Sequence, residues 1–367
     1  MGKVRLGIVG VGNCASSLLQ GIEYYRDGEG PKREAAGGLM HLDLGGYRPG
    51  DIEVVCAFDI DERKVGKPLE AAAFAPPNNT MTIFPKLPNY KVRVEMGPVF
   101  DGFSEHMLQY PAENRFVPAS TPPVDVAQVL RATKPDVVVN YLPVGSQKAA
   151  EHYARACLDE GVSFINCMPT FIVSDPHWGE EFTKKTIPVV GDDIKSQLGA
   201  TIVHRQLAKL FNDRGIHIER TYQLNTGGNT DFLNMLNRER LDFKKKSKTE
   251  AVQSVLKVPM PAADVHIGPS DYVPWQKDNK ICFIRIEGKG FGGAKIELEL
   301  RLSVEDSPNS AGVAIDAIRC CKVARDRGVG GPLFGVSSYF MKHPPRQIPD
   351  DVARDNVERF IRGEPES

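Results

Sequence analysis

The strand-like run Lys3-Val4-Arg5-Leu6-Gly7-Ile8-Val9 stops at Gly10-Val11-Gly12-Asn13-Cys14-Ala15 and passes directly into a helix-forming stretch beginning near Cys14-Ala15-Ser16-Ser17. A buried strand that feeds a helix through bare backbone is the opening of a βα unit, and the free amides at that helix start suit a dinucleotide pyrophosphate. The bland alternative is a plain turn, because only the first two fingerprint glycines, Gly10 and Gly12, are present and Ala15 stands at the third position. Context favours the cofactor. A second apolar run, Glu53-Val54-Val55-Cys56-Ala57-Phe58-Asp59, ends in a carboxylate placed to accept hydrogen bonds from ribose hydroxyls. Asp59 also favours NAD over NADP, whose extra phosphate it would repel. A Gly-rich, charged excursion over 26–50 stretches the usual spacing between glycines and acid.

Further along, helices are expected at 124–133 and 147–160, strands at 137–141, 163–166 and 187–190, and a helix from about 195 to 213. Short apolar strands separated by helices indicate a doubly wound parallel sheet covered on both faces. Residues 74–122 carry Pro and Asn with weak periodicity and read as surface or as cover for a site. Past residue 200 the texture changes to longer strand candidates at 217–225, 281–287 and 295–304, the last alternating apolar and polar side chains as a half-exposed strand does. Helices at about 310–326 and 351–362 return to the first unit. The fold class expected is therefore α/β, a Rossmann-type doubly wound parallel sheet over 1–200 and 310–367, with an inserted α+β domain at 201–309.

Composition narrows the function. With 46 Lys plus Arg against 47 Asp plus Glu, no overall field attracts nucleic acid or anionic membrane. No apolar run approaches the roughly 18 residues of a membrane-spanning helix, and the first strand begins too near Met1 for a signal peptide. Seven cysteines without a CxxC pair argue against a disulfide framework and point to a reducing cytoplasm. The eight histidines show no HxH or HxxxH spacing, which disfavours a histidine zinc site. Cys167 follows a strand, as a semialdehyde dehydrogenase nucleophile would, but no histidine supports it in the sequence, and Cys320-Cys321 reads as core.

Lysines are the next signal: Lys244, Lys245, Lys246 and Lys248, then Lys277 and Lys280, then Lys342. Such a run is commonly a solvated face. Held together, the ammonium groups lower one another's pKa values and allow proton transfer near neutrality, or they grip a phosphate. Two Asp-bearing turns, Gly191-Asp192-Asp193-Ile194-Lys195-Ser196-Gln197 and Asp306-Ser307-Pro308-Asn309-Ser310, follow strands and precede helices, so they read either as caps or as ligand sites at strand carboxyl ends.

Together with Asn140-Tyr141-Leu142-Pro143-Val144-Gly145-Ser146 and Asn225-Thr226-Gly227-Gly228-Asn229-Thr230-Asp231-Phe232-Leu233-Asn234, these segments resemble the myo-inositol-1-phosphate synthase family, in its shorter bacterial form, over nearly the whole chain. The GDDIKSQ and GGNTDFLN elements carry more of the likeness than the glycine turn does. The resemblance implies an isomerase that turns glucose 6-phosphate into 1D-myo-inositol 3-phosphate with NAD reduced and reoxidised in one site, in a homotetramer, with a divalent or monovalent cation in some members. It implies cofactor contacts at Gly10, Gly12, Asn13, Cys14, Asp59, Asn140, Asp193, Ser196 and Asp306. Lys244 and Lys342 are implied as proton shuttles at carbon 5, and Lys248 and Lys280 as clamps for aldehyde oxygen and phosphate; the two pairs are exchangeable. Asn229 and Asp231 complete the implied substrate contacts, with Asp193 and Asp306 also implied as catalytic, Asp193 between cofactor and substrate and Asp231 and Asp306 positioning lysines or substrate hydroxyls; Lys280 is placed after a turn at Pro269-Ser270-Asp271, and no ligand set identifies a metal. Two other readings remain open at this point: an NAD-dependent sugar or semialdehyde dehydrogenase that releases its oxidised product, and a noncatalytic NAD-binding module.

Overall fold

Seven parallel strands, in the order β11-β6-β5-β4-β1-β2-β3, form the larger sheet. They are β1 Val4–Val9, β2 Ile52–Asp59, β3 Val94–Met96, β4 Val137–Asn140, β5 Ser163–Asn166, β6 Pro188–Val190 and β11 Gly331–Pro332. The computed structural model describes residues 2–26, 37–256 and 258–364, and the side chains of 242–245, 269 and 270 lie outside that description. The order of the first six strands is the doubly wound arrangement, whose ligand crevice opens beyond the strand carboxyl ends where the winding reverses, between β1 and β4.

Alternate residues of β1 feed opposite cores. Leu6 and Ile8 pack with Leu18, Leu19 and Ile22 of α1 (Asn13–Tyr24) and with Ile315 and Ile318 of a long later helix, Asp306–Asp326. Val9 joins Phe58 and Phe164 on the other face, under α3 (Val126–Thr133), α4 (Gln147–Asp159) and α5 (Pro176–Lys184). The short α2 (Leu69–Ala72) buries Leu69 and Ala72 at the α1 side. Gly7 is required by this close packing, since a Cβ there would lie 2.9 Å from both Cys56 Sγ and Val138 Cγ2.

The expected strands at 53–59, 137–141, 163–166 and 187–190 are all present, while β3 and β11 are too short to show a pattern. The crossover α5 went unanticipated, although Asp175 caps it and Pro176 opens it.

Four longer strands make the second sheet, in the order β10-β9-β7-β8: β7 His217–Gly227, β8 Val265–Tyr272, β9 Asn279–Lys289 and β10 Lys295–Glu305. Pairing is antiparallel except between β7 and β8, whose connection carries α7 (Thr230–Asn234) and α8 (Asp242–Gln253). Ile284 and Ile286 face Ala208 and Phe211 of α6 (Ala200–Asp213) and Val252 of α8, and β10 alternates exposure along its length as expected. The chain then returns through α9, the Asp306–Asp326 helix noted above, to α10 (Phe334–Phe340) and α11 (Asp350–Arg362).

Three local expectations are corrected. Residues 269–271 belong to β8 and not to a turn. Helix α6 starts at Ala200 because Gln197 N and Leu198 N donate to Asn309 O and Oδ1, so its ladder begins only with Val203 N to Gly199 O; Ser196 therefore precedes the helix. Helix α9 begins at Asp306 and takes in the Asp306–Ser310 turn.

Candidate active site

At the end of β1 the chain turns with Gly10 at φ +87°, where a Cβ would meet Tyr141 O at 2.8 Å. Gly12 caps α1, and a Cβ there would point into open space. Bare backbone and free helix amides thus face the same cavity, the arrangement a pyrophosphate needs.

Asp59 fastens this turn: its Oδ2 accepts from Val11 N at 2.7 Å and its Oδ1 from Ile60 N and Asp61 N at 2.7 and 2.8 Å. Lys64, which sequence reasoning missed, is buried below it and donates to Val11 O at 2.8 Å and to Asn78 Oδ1 at 2.9 Å. Burial lowers the Lys64 pKa, against the pull of Asp59 and Asp61. Cys14 lies beside Ser307 and Ser310, and burial pushes its thiol up to about 12, so it stays neutral and makes no nucleophile. Cys167 is likewise raised by burial. Asn140 does not line the cavity; it donates to Asn166 Oδ1 and accepts from Leu142 N, holding the β4 end in shape.

The other half of the site is brought together from distant segments. Loop 191–195 pairs with the chain after α10 through Asp192 N to His343 O and Lys342 N to Asp193 O, at 2.9 and 2.7 Å. This ladder sets Lys342 Nζ 2.8 Å from Asp193 Oδ1, while Ser247 on α8 donates to Asp193 Oδ2 at 2.7 Å. Asp193 itself takes a left-handed backbone, φ +63°. Lys280, near the start of β9, lies 2.9 Å from Asp306 at the head of α9 because β9 and β10 are neighbours and Asn279 pairs with Glu305.

Lys248 is buried and lines the same cavity. Lys246 instead turns outward to Glu250 and the Phe171 ring. Lys277 serves as a turn, its carbonyl accepting from Gly228 N. The Lys244 side chain lies outside the described residues. Lys195, given no role of its own from the sequence, is buried and paired with Asp350 at 3.0 Å, and Arg205 reaches the same carboxylate at 2.9 Å. That network ties loop 191–195 to α11 and, through Arg205 to Ala251 O, to α8.

The expectation that crowding lowers the lysine pKa values fails for Lys280. Burial works in that direction, but the adjacent Asp306 carboxylate outweighs it and the pKa is raised. Lys280 is a fixed cation, suited to hold an oxyanion and unsuited to accept a proton.

One continuous cavity is lined by all of these groups: Gly10, Gly12, Asn13, Cys14 and Asp59 from the glycine turn and the end of β2, and Asp193, Ser196, Asn229, Asp231, Lys248, Lys280, Asp306 and Lys342 from the later segments. The 74–122 stretch contributes Asn78, Pro98, Val99, Gly102 and Phe116 to its walls, so the expected cover is real. Among the described residues no cluster of three or more His, Cys, Asp or Glu side chains is arranged to hold a metal ion, and no helix is long and apolar enough to cross a membrane.

Known proteins resemble this chain over nearly its whole length. The family described as Myo-inositol-1-phosphate synthase matches residues 199–307. The inositol-3-phosphate synthase of Mycobacterium tuberculosis is 52% identical over 361 residues, covering 98% of this chain and 96% of that protein. That of Mycolicibacterium smegmatis is 51% identical, with 99% of each chain covered. A myo-inositol-1-phosphate synthase-related protein from Thermotoga maritima, 22% identical, superposes over 100% of both chains with a TM-score of 0.78 and so shares the fold. By this whole-length identity the chain belongs to the inositol-3-phosphate synthase family.

Proposed function

We propose that the protein is an isomerase converting D-glucose 6-phosphate to 1D-myo-inositol 3-phosphate, with NAD as a recycled cofactor. Family membership supports the reaction. The observation that carries the site assignment is the convergence of Lys248, Lys280 and Lys342, with Asp193 and Asp306, on the cavity that begins at the glycine turn. An ordinary dehydrogenase needs one proton relay; three cations around one substrate suit a reaction that generates oxyanions more than once.

The glycine turn, Asn13, Asp59 and Ser196 would hold NAD, which when bound takes up the carbon 5 hydride and later returns it. Lys342 is the group assigned to exchange the carbon 5 hydroxyl proton, a role supported by its 2.8 Å contact with Asp193 at the cavity. Once carbon 5 is a ketone, the adjacent carbon 6 proton is acidic, and its loss leaves an enolate whose oxygen an ammonium group can stabilise. Carbon 6 then attacks the carbon 1 aldehyde, a C–C bond closes the ring, and the new alkoxide takes a proton. Lys280 and Lys248 are the clamps for aldehyde oxygen and phosphate in this scheme, with Asn229 on the phosphate and Asp231 and Asp306 orienting lysines and hydroxyls. Lys244 keeps its proposed place as the second shuttle.

A homotetramer is part of the proposal, supported by the open sheet face that leaves Leu224 and Phe283 exposed. A cytoplasmic location is proposed with it. The test is incubation of the pure protein with carbon-5-deuterated glucose 6-phosphate and substoichiometric NAD. Inositol phosphate that keeps the deuterium, without net NADH, is the expected result. Stoichiometric NADH without a cyclised product would overturn the proposal.

A further inference from the structure

Behind the cavity wall lies a carboxylate that neither the sequence motifs nor the mechanism above uses. Asp278, 1% exposed, sits in the turn into β9, two residues before Lys280. Its Oδ1 accepts from Asn13 Nδ2 at 3.1 Å, from Asn229 Nδ2 at 3.0 Å and from Ser307 Oγ at 2.9 Å, and its Oδ2 accepts from Ser307 N at 3.2 Å. Each partner comes from a different part of the site: the glycine turn, the GGNTDFLN loop and the first turn of α9.

We infer that Asp278 is a positioning residue that couples the cofactor turn to the substrate-facing loops, one carboxylate holding Asn13, Asn229 and Ser307 in register. The inference rests on the synthase reading and deepens it.

The orientation of both amides leaves little choice in the matter. Asn13 Oδ1 already accepts from Asn79 N and Thr80 N, at 2.8 and 3.2 Å. Asn229 Oδ1 caps α7 by accepting from Phe232 N at 3.1 Å. With both oxygens committed to backbone N–H groups, both NH2 groups are turned toward Asp278, where an acceptor is needed; that of Asn13 is shared between Asp278 and Asn79 Oδ1, the latter at 2.8 Å. The backbone adds a fifth hydrogen bond, Asp306 N to Asp278 O at 3.1 Å, which joins this residue to the Lys280–Asp306 pair.

Burial, with Asp306 adding to it, pushes the Asp278 carboxyl up to about 6. The site tolerates that cost, which fits a group kept for its geometry. Ordering Asn13 against NAD therefore restrains Asn229 and Ser307 through one shared anion, and cofactor and sugar phosphate should bind with positive coupling.

The test measures NAD affinity by calorimetry with and without glucitol 6-phosphate, an open-chain analogue with no aldehyde to react. In the wild type the analogue should tighten NAD by about tenfold. Asp278→Ala should reduce that factor to about twofold or less, whereas Asp278→Asn, whose amide oxygen can still meet Asn13 and Asn229 but whose NH2 opposes Ser307 N, should fall between. The graded rescue is a readout that general loosening of the fold would not produce. If thermal melting shows that Asp278→Ala does not fold, Asp278→Asn and Ser307→Ala carry the test, each losing one arm and part of the coupling.

Wild-type coupling retained in the folded variants, or none in the wild type, overturns the inference alone. Wild-type protein that binds NAD but not the analogue overturns the synthase reading and this inference with it.

Discussion

Asp193 offers the sharpest test of the site. Its carboxylate is 3% exposed and receives Lys342 Nζ at 2.8 Å and Ser247 Oγ at 2.7 Å, so it joins the 341–343 segment to helix α8. Its φ of +63° makes the choice of variant matter. Asn accepts a left-handed backbone as readily as Asp, so Asp193→Asn changes charge with little strain, whereas Ala there adds about 1–2 kcal/mol of backbone cost. Losing one charge-assisted hydrogen bond costs about 1.5–3 kcal/mol, which corresponds to roughly a 10- to 150-fold fall in kcat if Lys342 must be held for proton exchange. Asp193→Ala removes both bonds and leaves a largely buried ammonium group uncompensated, about 3–5 kcal/mol, so a loss on the order of 100- to 1,000-fold or more is expected. Inositol phosphate formation at saturating NAD and substrate is the assay, with a thermal melt to establish that each variant is folded. Turnover within about twofold of wild type in folded Asp193→Asn would refute the role assigned to the pair.

Lys248→Ala and Lys280→Ala should each keep NAD binding and lose at least roughly 100-fold in turnover; near-normal kcat in both removes them from the mechanism. Asp59→Ala strands the amides of Val11, Ile60 and Asp61, so the NAD dissociation constant should rise about tenfold, and an unchanged constant refutes its place in the cofactor site. His204, buried between Thr221 and Gln223, has its pKa lowered to about 4 by burial. Below its ordinary 6.5 the unfolded chain takes up a proton that the folded chain refuses until about 4, so stability is lost as pH falls through that window. Between pH 7 and pH 5 the wild type should lose about 2 kcal/mol more than His204→Gln in urea unfolding, and equal losses would show that this histidine is not the cause.

Much of this molecule is legible in local pattern, for a simple reason. A strand buried on both faces must be apolar throughout, and a pyrophosphate site at a helix start must be bare, so β1, Gly10, Gly12 and Asp59 stand out in a single reading. The other site residues are visible as residue types in the sequence, and of those assigned there all but Asn140 and the undescribed Lys244 side chain line the cavity. What remained hidden shares one property: it depends on pairs far apart in the chain. Lys280 carries a raised pKa only because strand pairing delivers Asp306 to it across 26 positions. Lys195 and Arg205 find Asp350 about 150 positions away, and Asp278 meets Asn13 across 265.

The order of residues by itself determined the doubly wound sheet, the cofactor turn and the inventory of charged groups, since each follows from short-range periodicity or a contiguous motif. Only the tertiary structure decided which lysine faces the cavity, which is fixed as a cation and which carboxylate ties the two halves together, because charge and hydrogen bonding act between neighbours in space.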